Sequence, residues 1–257
     1  MASAGEAQRL QKVLSQIGVG SRREAEAWIR AGRLTVNDQP AVLGMRVQAS
    51  DQLKLDGRVI HRRPRSLARP VLLCHRSPGV ALLPPRARAG ASAGGAGTSF
   101  AERLPRRAGG RWLSVSPMPT VDGGLELLTA DGTLAARLQR SVRALESEFS
   151  LRVRGVLSEA QRQAILQGEL DRGTALRVLT LQPGGGEGSN RWYQLVTLGA
   201  SGNDVRQLIE RQAVTLVRML RTRLGPLALP RTLARGQWAP LDGAQLSALL
   251  GSPAAGR

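Results

Sequence analysis

WLSVSPMPTVDGGLELLTADGTLAARL, residues 112–138, is the stretch on which the reading of this chain turns. It opens as a short apolar run, bends through Pro117 and Pro119, and reaches Gly123-Gly124. Leu125 to Thr129 reads as a strand, Thr129-Ala130-Asp131-Gly132 has the composition of a turn, and Leu134 to Leu138 begins a helix. A loop between two strands in mid-domain is a usual place for a reactive side chain. Between Trp112 and Gly124 the only carboxylate is Asp122.

Outward from this stretch, composition sets bounds. The chain has 257 residues, with 37 Lys+Arg against 19 Asp+Glu, a formal net charge of +18. Lys12 and Lys54 are its only lysines, so the cation is nearly all arginine, the residue suited to phosphate forks and base stacking. A polyanion is the expected partner. No apolar run approaches the ~20 residues of a membrane span, and the first residues lack a signal-peptide core. One cysteine, Cys74, excludes an internal disulfide and a multi-cysteine zinc site. The expectation is a soluble, cytoplasmic, monomeric RNA-binding protein without cofactor, metal or membrane partner.

Arg9 to Ile17 places Leu10, Val13, Leu14 and Ile17 at helical spacing. Ser21 with Glu24 forms a capping box for a second helix that buries Ala25, Trp28 and Ile29. Leu34 to Val36 is a strand, Asn37-Asp38 a turn, and Val47 to Leu55 a second strand. Residues 61–70 read as a basic linker (Arg58, Arg62, Arg63, Arg65 and Arg69 surround or lie in it), and 86–98 as a disordered, low-complexity loop. Between them Val71 to His75 is a buried strand, with Cys74 and His75 strand residues rather than a catalytic pair. Phe100 to Leu104 is a short helix. Strands are expected at Glu148–Val153, Ala175–Leu181, Arg191–Leu198 and Leu216–Leu224, helices at Ser158–Gln167 and Asp204–Gln212, and a short helix at the end. Arg221 and Arg223 share a strand face suited to an RNA groove, with Arg218 on the other. Trp28 and Trp192 are assigned to core.

Several motifs carry a resemblance. RLQKVL (9–14), GVGSRREAEAWI (18–29), GRLTVN (32–37) and LKLDG (53–57) resemble the alpha-L RNA-binding domain found in ribosomal protein S-four. The resemblance implies an RNA-facing side formed by Arg9, Lys12, Ser21, Arg22, Arg23, Arg33 and Asn37. GGRWLSV (109–115), GLELLTADGTLAARL (124–138), ESEFSLRVRG (146–155), NRWYQL (190–195), DVRQL (204–208) and LRTRLGPLALP (220–230) are similar to the rRNA pseudouridine synthases that carry the same module. The implied fold is α+β: an alpha-L domain over 8–60, then a mixed-sheet synthase-like domain over 71–245 and a tail over 246–257.

In that family the signature is Gly-Arg-Leu-Asp, then two residues, Thr, one residue and Gly-Leu-Leu, and its Asp is the nucleophile. Aligned on Gly124-Leu125, the four leading positions are Ser116, Pro117, Met118 and Pro119, and the Thr position is Asp122. Pro119 has no side-chain oxygen and cannot attack. Phe149 replaces a tyrosine, Arg76-Ser77 replaces Lys-Pro, and two arginines are missing from 200–203. Arg206 keeps the basic position that pairs with the Asp. The losses fall on chemistry positions while core motifs persist, and drift would strike both alike. The leading expectation is therefore a catalytically inactive member that binds rRNA or a ribosome precursor, with Arg206, Arg218 and Arg221 joining the RNA contacts and Arg206 freed for phosphate. Two rivals stand beside it. One is an active synthase with Asp122 as relocated carboxylate, which needs Asp122 beside Arg206. The other is a polyanion binder selected for charge alone.

Overall fold

The computed structural model describes residues 7–17, 19–60, 70–84, 99–105, 111–171, 174–186 and 189–251. Two compact units divide the chain, one over the N-terminal residues to Arg69, the other over most of it from Pro70 onward. The linker expected at 61–70, except Pro70, and the loop expected at 86–98 lie outside the described residues.

The N-terminal unit runs β1 (Gln8–Arg9), α1 (Leu10–Ile17), α2 (Arg22–Arg30), β2 (Leu34–Val36), β3 (Gln39–Pro40), β4 (Arg46–Val47), β5 (Leu53–Leu55) and β6 (Arg58–Val59). The capping box is present: Ser21 Oγ accepts from Glu24 N at 3.2 Å, and Ser21 N donates to Glu24 Oε2 at 2.6 Å. Asn37 and Asp38 both have left-handed φ, 50° and 65°, the conformation a two-residue hairpin between β2 and β3 requires. The single strand expected over Val47–Leu55 is two. Gln48 N donates to the Asp51 carboxylate at 2.6 Å and Asp51 N to Gln48 O at 3.3 Å, a turn over 48–51 that ends β4 on β1 and lets β5 restart on β2. Leu10, Leu14, Ala25, Ile29, Leu34, Val47 and Leu53 form the core, and Trp28 packs against it.

The larger unit runs β7 (Val71–Arg76), a 3-10 turn (Phe100–Arg103), β8 (Leu113–Ser114), β9 (Gly123–Thr129), α3 (Gly132–Ser141), β10 (Glu146–Arg154), α4 (Glu159–Gln167), β11 (Arg177–Pro183), β12 (Asn190–Leu198), α5 (Gly202–Glu210), β13 (Leu216–Leu224), β14 (Leu227–Ala228), β15 (Trp238–Pro240) and α6 (Gly243–Gly251). The sheet order is β11-β12-β10-β13-β9-β7-β15, with β14 on β13 and β8 on β9. β9 and β13 pair in parallel at its centre, where Leu220 meets Gly123 and Arg221 meets Gly124. Gly124 has φ +95°, and a Cβ there would lie 2.4 Å from Arg221 O. Only glycine allows that approach. One core packs α4 and α5 on Phe149, Leu151, Val153, Leu195 and Met219. The other packs α3 and α6 on Val71, Leu73, Leu125 and Leu127. α6 runs across the boundary expected at 245, because Leu249 is fully buried in that second core.

Candidate nucleic-acid interface and the reaction loop

In the N-terminal unit Arg9, Arg22, Arg23, Arg33 and Asn37 are exposed, and Lys12 and Ser21 half-buried. Arg22 and Arg23 open α2, where backbone N–H groups and helix dipole also favour an anion. Two expected contacts already have partners. Arg33 forks onto Asp56 at 2.8 and 2.6 Å, and this carboxylate raises the guanidinium above its ordinary range. Asn37 donates to Asp51 at 2.9 Å and accepts from Gln52 N at 2.8 Å. The two sets of bonds brace the opposite ends of the β2–β5 ladder.

The loop between β8 and β9 is fixed from beneath by two buried arginines. The Arg76 guanidinium, at the end of β7, uses all five of its donors. Nε donates to Glu126 Oε1 at 3.0 Å. Nη1 donates to Val80 O at 2.6 Å and Thr120 O at 3.3 Å. Nη2 donates to Met118 O at 3.1 Å and Pro119 O at 2.8 Å. Arg221 on β13 donates from Nε to Leu125 O at 2.9 Å, from Nη1 to Ser116 Oγ at 3.0 Å and from Nη2 to Ser116 O at 2.6 Å. Glu126 lies between them: its Oε1 accepts from Met118 N at 3.0 Å, and its Oε2 faces Arg221 Nη2 at 3.4 Å. All three side chains are 0% exposed. Burial pushes the Glu126 carboxyl above the usual carboxylate range against the pull of Arg221 and Arg76. Burial also lowers Arg221, opposed by Glu126.

This triad corrects an expectation. Arg221 was to face an RNA groove with Arg223, but it cannot reach solvent. Arg223 is taken by Glu146 at 3.1 Å and Glu148 at 3.4 Å. The β13 backbone explains the error: register shifts at Glu148/Phe149 and Arg152/Val153 break the simple alternation. Glu126 and Arg76 were not singled out as a pair. The available signal was a carboxylate inside an apolar strand, GLELL, and an arginine closing another, VLLCHR. Buried charges of this kind require a partner.

Asp122 stands at the other end of the loop. Arg206 on α5 grips it bidentately, Nε to Oδ2 at 2.8 Å and Nη2 to Oδ1 at 2.7 Å. Met219 N donates to Oδ1 at 3.1 Å. Asp122 is 0% exposed and the Arg206 side chain 19%. Arg206 also donates from Nη1 to Glu210 at 2.5 Å, and the Asp122 bond chiefly, then Glu210, raises its pKa. Arg206 is thus not a cation awaiting phosphate, because two carboxylates hold it. The condition attached to a relocated carboxylate, Asp122 beside Arg206, is met, and the oxygens concerned are occupied and out of solvent.

Pro119 accepts through its carbonyl from Arg76 and from Asp122 N at 3.0 Å. It abuts the first turn of α5, where a Cβ on Gly202 would lie 2.7 Å from Pro119 Cδ. Phe149 is 0% exposed in the core with Met118. Cys74 is buried and His75 Nδ1 sits 2.8 Å from Leu233 O, as expected of strand residues. Asp131 accepts from Thr133 N at 2.8 Å, a turn role. Trp192, assigned to core, is half-buried, with the Arg152 guanidinium 5.9 Å from its ring centroid. Among the described residues no cluster of His, Cys, Asp and Glu could hold a metal, and no helix is long and apolar enough to cross a membrane.

The S4 domain family matches residues 8–53. The chain is 36% identical over 246 residues to ribosomal large subunit pseudouridine synthase B of Pseudomonas aeruginosa, covering 94% of this chain and 61% of that protein. It is 37% identical over 245 residues to ribosomal large subunit pseudouridine synthase B of Escherichia coli (strain K12), covering 94% of this chain and 82% of that one. A crystal structure of a pseudouridylate synthase superposes with a TM-score of 0.59 over 94% of this chain and 99% of that one, at 16% identity, which speaks to fold alone. With that identity carried across both units, the chain belongs to the family of the ribosomal large subunit pseudouridine synthases B, with an S4 domain at its N-terminus.

Proposed function

We propose that the protein binds ribosomal RNA or a ribosome precursor through its S4 domain and synthase-like scaffold, as a cytoplasmic monomer, and does not isomerise uridine. The observation that carries this reading is the state of the loop carboxylate. A nucleophile must bring a free lone pair to about 3–3.5 Å from the reacting carbon. Pro119 has no such oxygen. Asp122 has two, but they receive three N–H donors and have no exposed surface. Glu126, the other carboxylate beneath the loop, is sealed between two arginines. Flipping a base costs a few kcal/mol, which a protein without following chemistry gains nothing by spending.

A second reading draws on the Arg206 fork. A synthase needs its carboxylate ionised beside a cation, and Asp122 has that neighbour. Opening of the loop would then have to release an oxygen to substrate. The two readings separate on a pseudouridine map of rRNA by mass spectrometry from a deletion strain. The expected result is a map identical to wild type. Loss of one pseudouridine, restored by the wild-type protein, would overturn inactivity and favour Asp122, and failure of Asp122→Asn to restore it would identify the residue.

A further inference from the structure

Strands β10, β12 and β13 bury one face under α4 and α5. Their other face carries Arg152, Trp192 and Arg218 side by side, since Arg152 pairs in register with Trp192 on β12 and with Arg218 on β13. Arg154, two residues beyond Arg152, is exposed. The Arg152 guanidinium lies over the Trp192 ring, and its Nε is buried without a hydrogen-bond partner. Among the described residues no ion pair reaches Arg152, Arg154 or Arg218. The nearest carboxylates on β10 are those of Glu146 and Glu148, and Arg223 holds both. Like charges directly opposite on neighbouring strands destabilise a sheet, so Arg152 and Arg218 call for an anion from outside.

We propose that this sheet face is a second RNA contact, taking backbone phosphates between Arg152, Arg218 and Arg154. This inference rests on the reading that the protein binds RNA. The Trp192 ring, 5.9 Å from the Arg152 guanidinium, adds a cation–π attraction that keeps the cation on this face. RNA is the occupant that fits: the site is cationic without countercharge among the described residues, and the chain at +18 repels a second copy of itself. The face is separate from the Asp122–Arg206 pair, whose α5 side is the buried one.

The test is filter binding of a labelled large-subunit rRNA transcript across a KCl series, with wild type and Arg152→Gln/Arg218→Gln. Each neutralised phosphate contributes about 0.7–0.9 to the slope of log affinity against log salt. The double variant is expected to lower that slope by about 1.5 and the affinity roughly tenfold, with an unchanged circular dichroism spectrum and a melting temperature no lower than wild type, since the opposed charges are gone. Arg152→Lys/Arg218→Lys should keep the slope. A wild-type slope in the glutamine variant would overturn the proposal, whereas absence of binding by the wild type would remove the RNA reading itself. Ultraviolet cross-linking of the wild-type complex is independent of variant folding. Cross-linked peptides from β10, β12 or β13 are expected, and cross-links confined to residues 8–60 would sink the second contact.

Discussion

Replacing Glu126 by Gln tests the triad beneath the loop with almost no change of volume. The carboxylate sits 3.0 Å from Arg76 Nε and 3.4 Å from Arg221 Nη2, all at 0% exposure. At an effective dielectric of about 20, each contact is worth roughly 5 kcal/mol of Coulomb attraction before desolvation is counted. Relief of the buried carboxylate's own desolvation returns several kcal/mol. The amide oxygen can still accept from Met118 N and Arg76 Nε. Two uncompensated guanidinium groups are left, and breaking a buried pair in this way costs about 3–5 kcal/mol. For a unit of this size that lowers the melting temperature by about 6–20 °C, read by circular dichroism, with surface Glu159→Gln as the control. A shift below about 2 °C would show that Glu126 is protonated in the folded protein. Burial would then have prevailed over both arginines, and the triad would not be a charged clamp.

Three further outcomes follow from the same geometry. Gly124→Ala forces φ +95° on a residue with a Cβ 2.4 Å from Arg221 O; a loss of about 2–6 kcal/mol is expected from strain and overpacking together, and wild-type stability in urea would refute the close approach. Burial pushes the Cys74 thiol far up, so thiolate is scarce at neutral pH. A thiol reagent should label it only after unfolding in guanidinium, and rapid labelling of folded protein would contradict its placement. Substituting Lys12, Arg22 and Arg23 by Gln should weaken RNA binding across sequences alike and lower the salt slope by about 2, whereas a sequence-selective loss would assign these residues to base reading.

The elements were legible wherever periodicity and punctuation agreed. Ser21 with Glu24, and Asn37-Asp38, placed α2 and the β2–β3 turn from residue type alone. β10 alternates as its sequence does, with Phe149, Leu151 and Val153 inward. What failed was long-range. The Arg221 side chain is drawn inward by Ser116 and Glu126, about a hundred residues away, across strands whose register is shifted by bulges. Nor could spacing reveal that Asp122 would reach Arg206, since that contact depends on how α5 docks on the loop. The substitution of Pro119 was readable; the compensating network of Arg76, Glu126 and Arg221 was readable only as an oddity of charge in an apolar strand.

The parallel join of β9 and β13 also bears on the order in which the molecule takes shape during its synthesis. Gly123 and Leu220 are neighbours at the middle of the sheet, yet nearly a hundred residues must be translated between them. The S4 core, by contrast, draws only on residues Leu10 to Ile60. At about 5–20 residues per second, roughly 8–30 s pass between the emergence of that core and of β13. During this interval the RNA-binding unit is complete and tethered to a translating ribosome, while the central sheet is still open. Limited proteolysis of chains stalled near residue 200, past β10 and short of β13, should yield a resistant N-terminal fragment alone. A resistant C-terminal piece at that length would mean that β7, β9 and β10 hold together without their central partner.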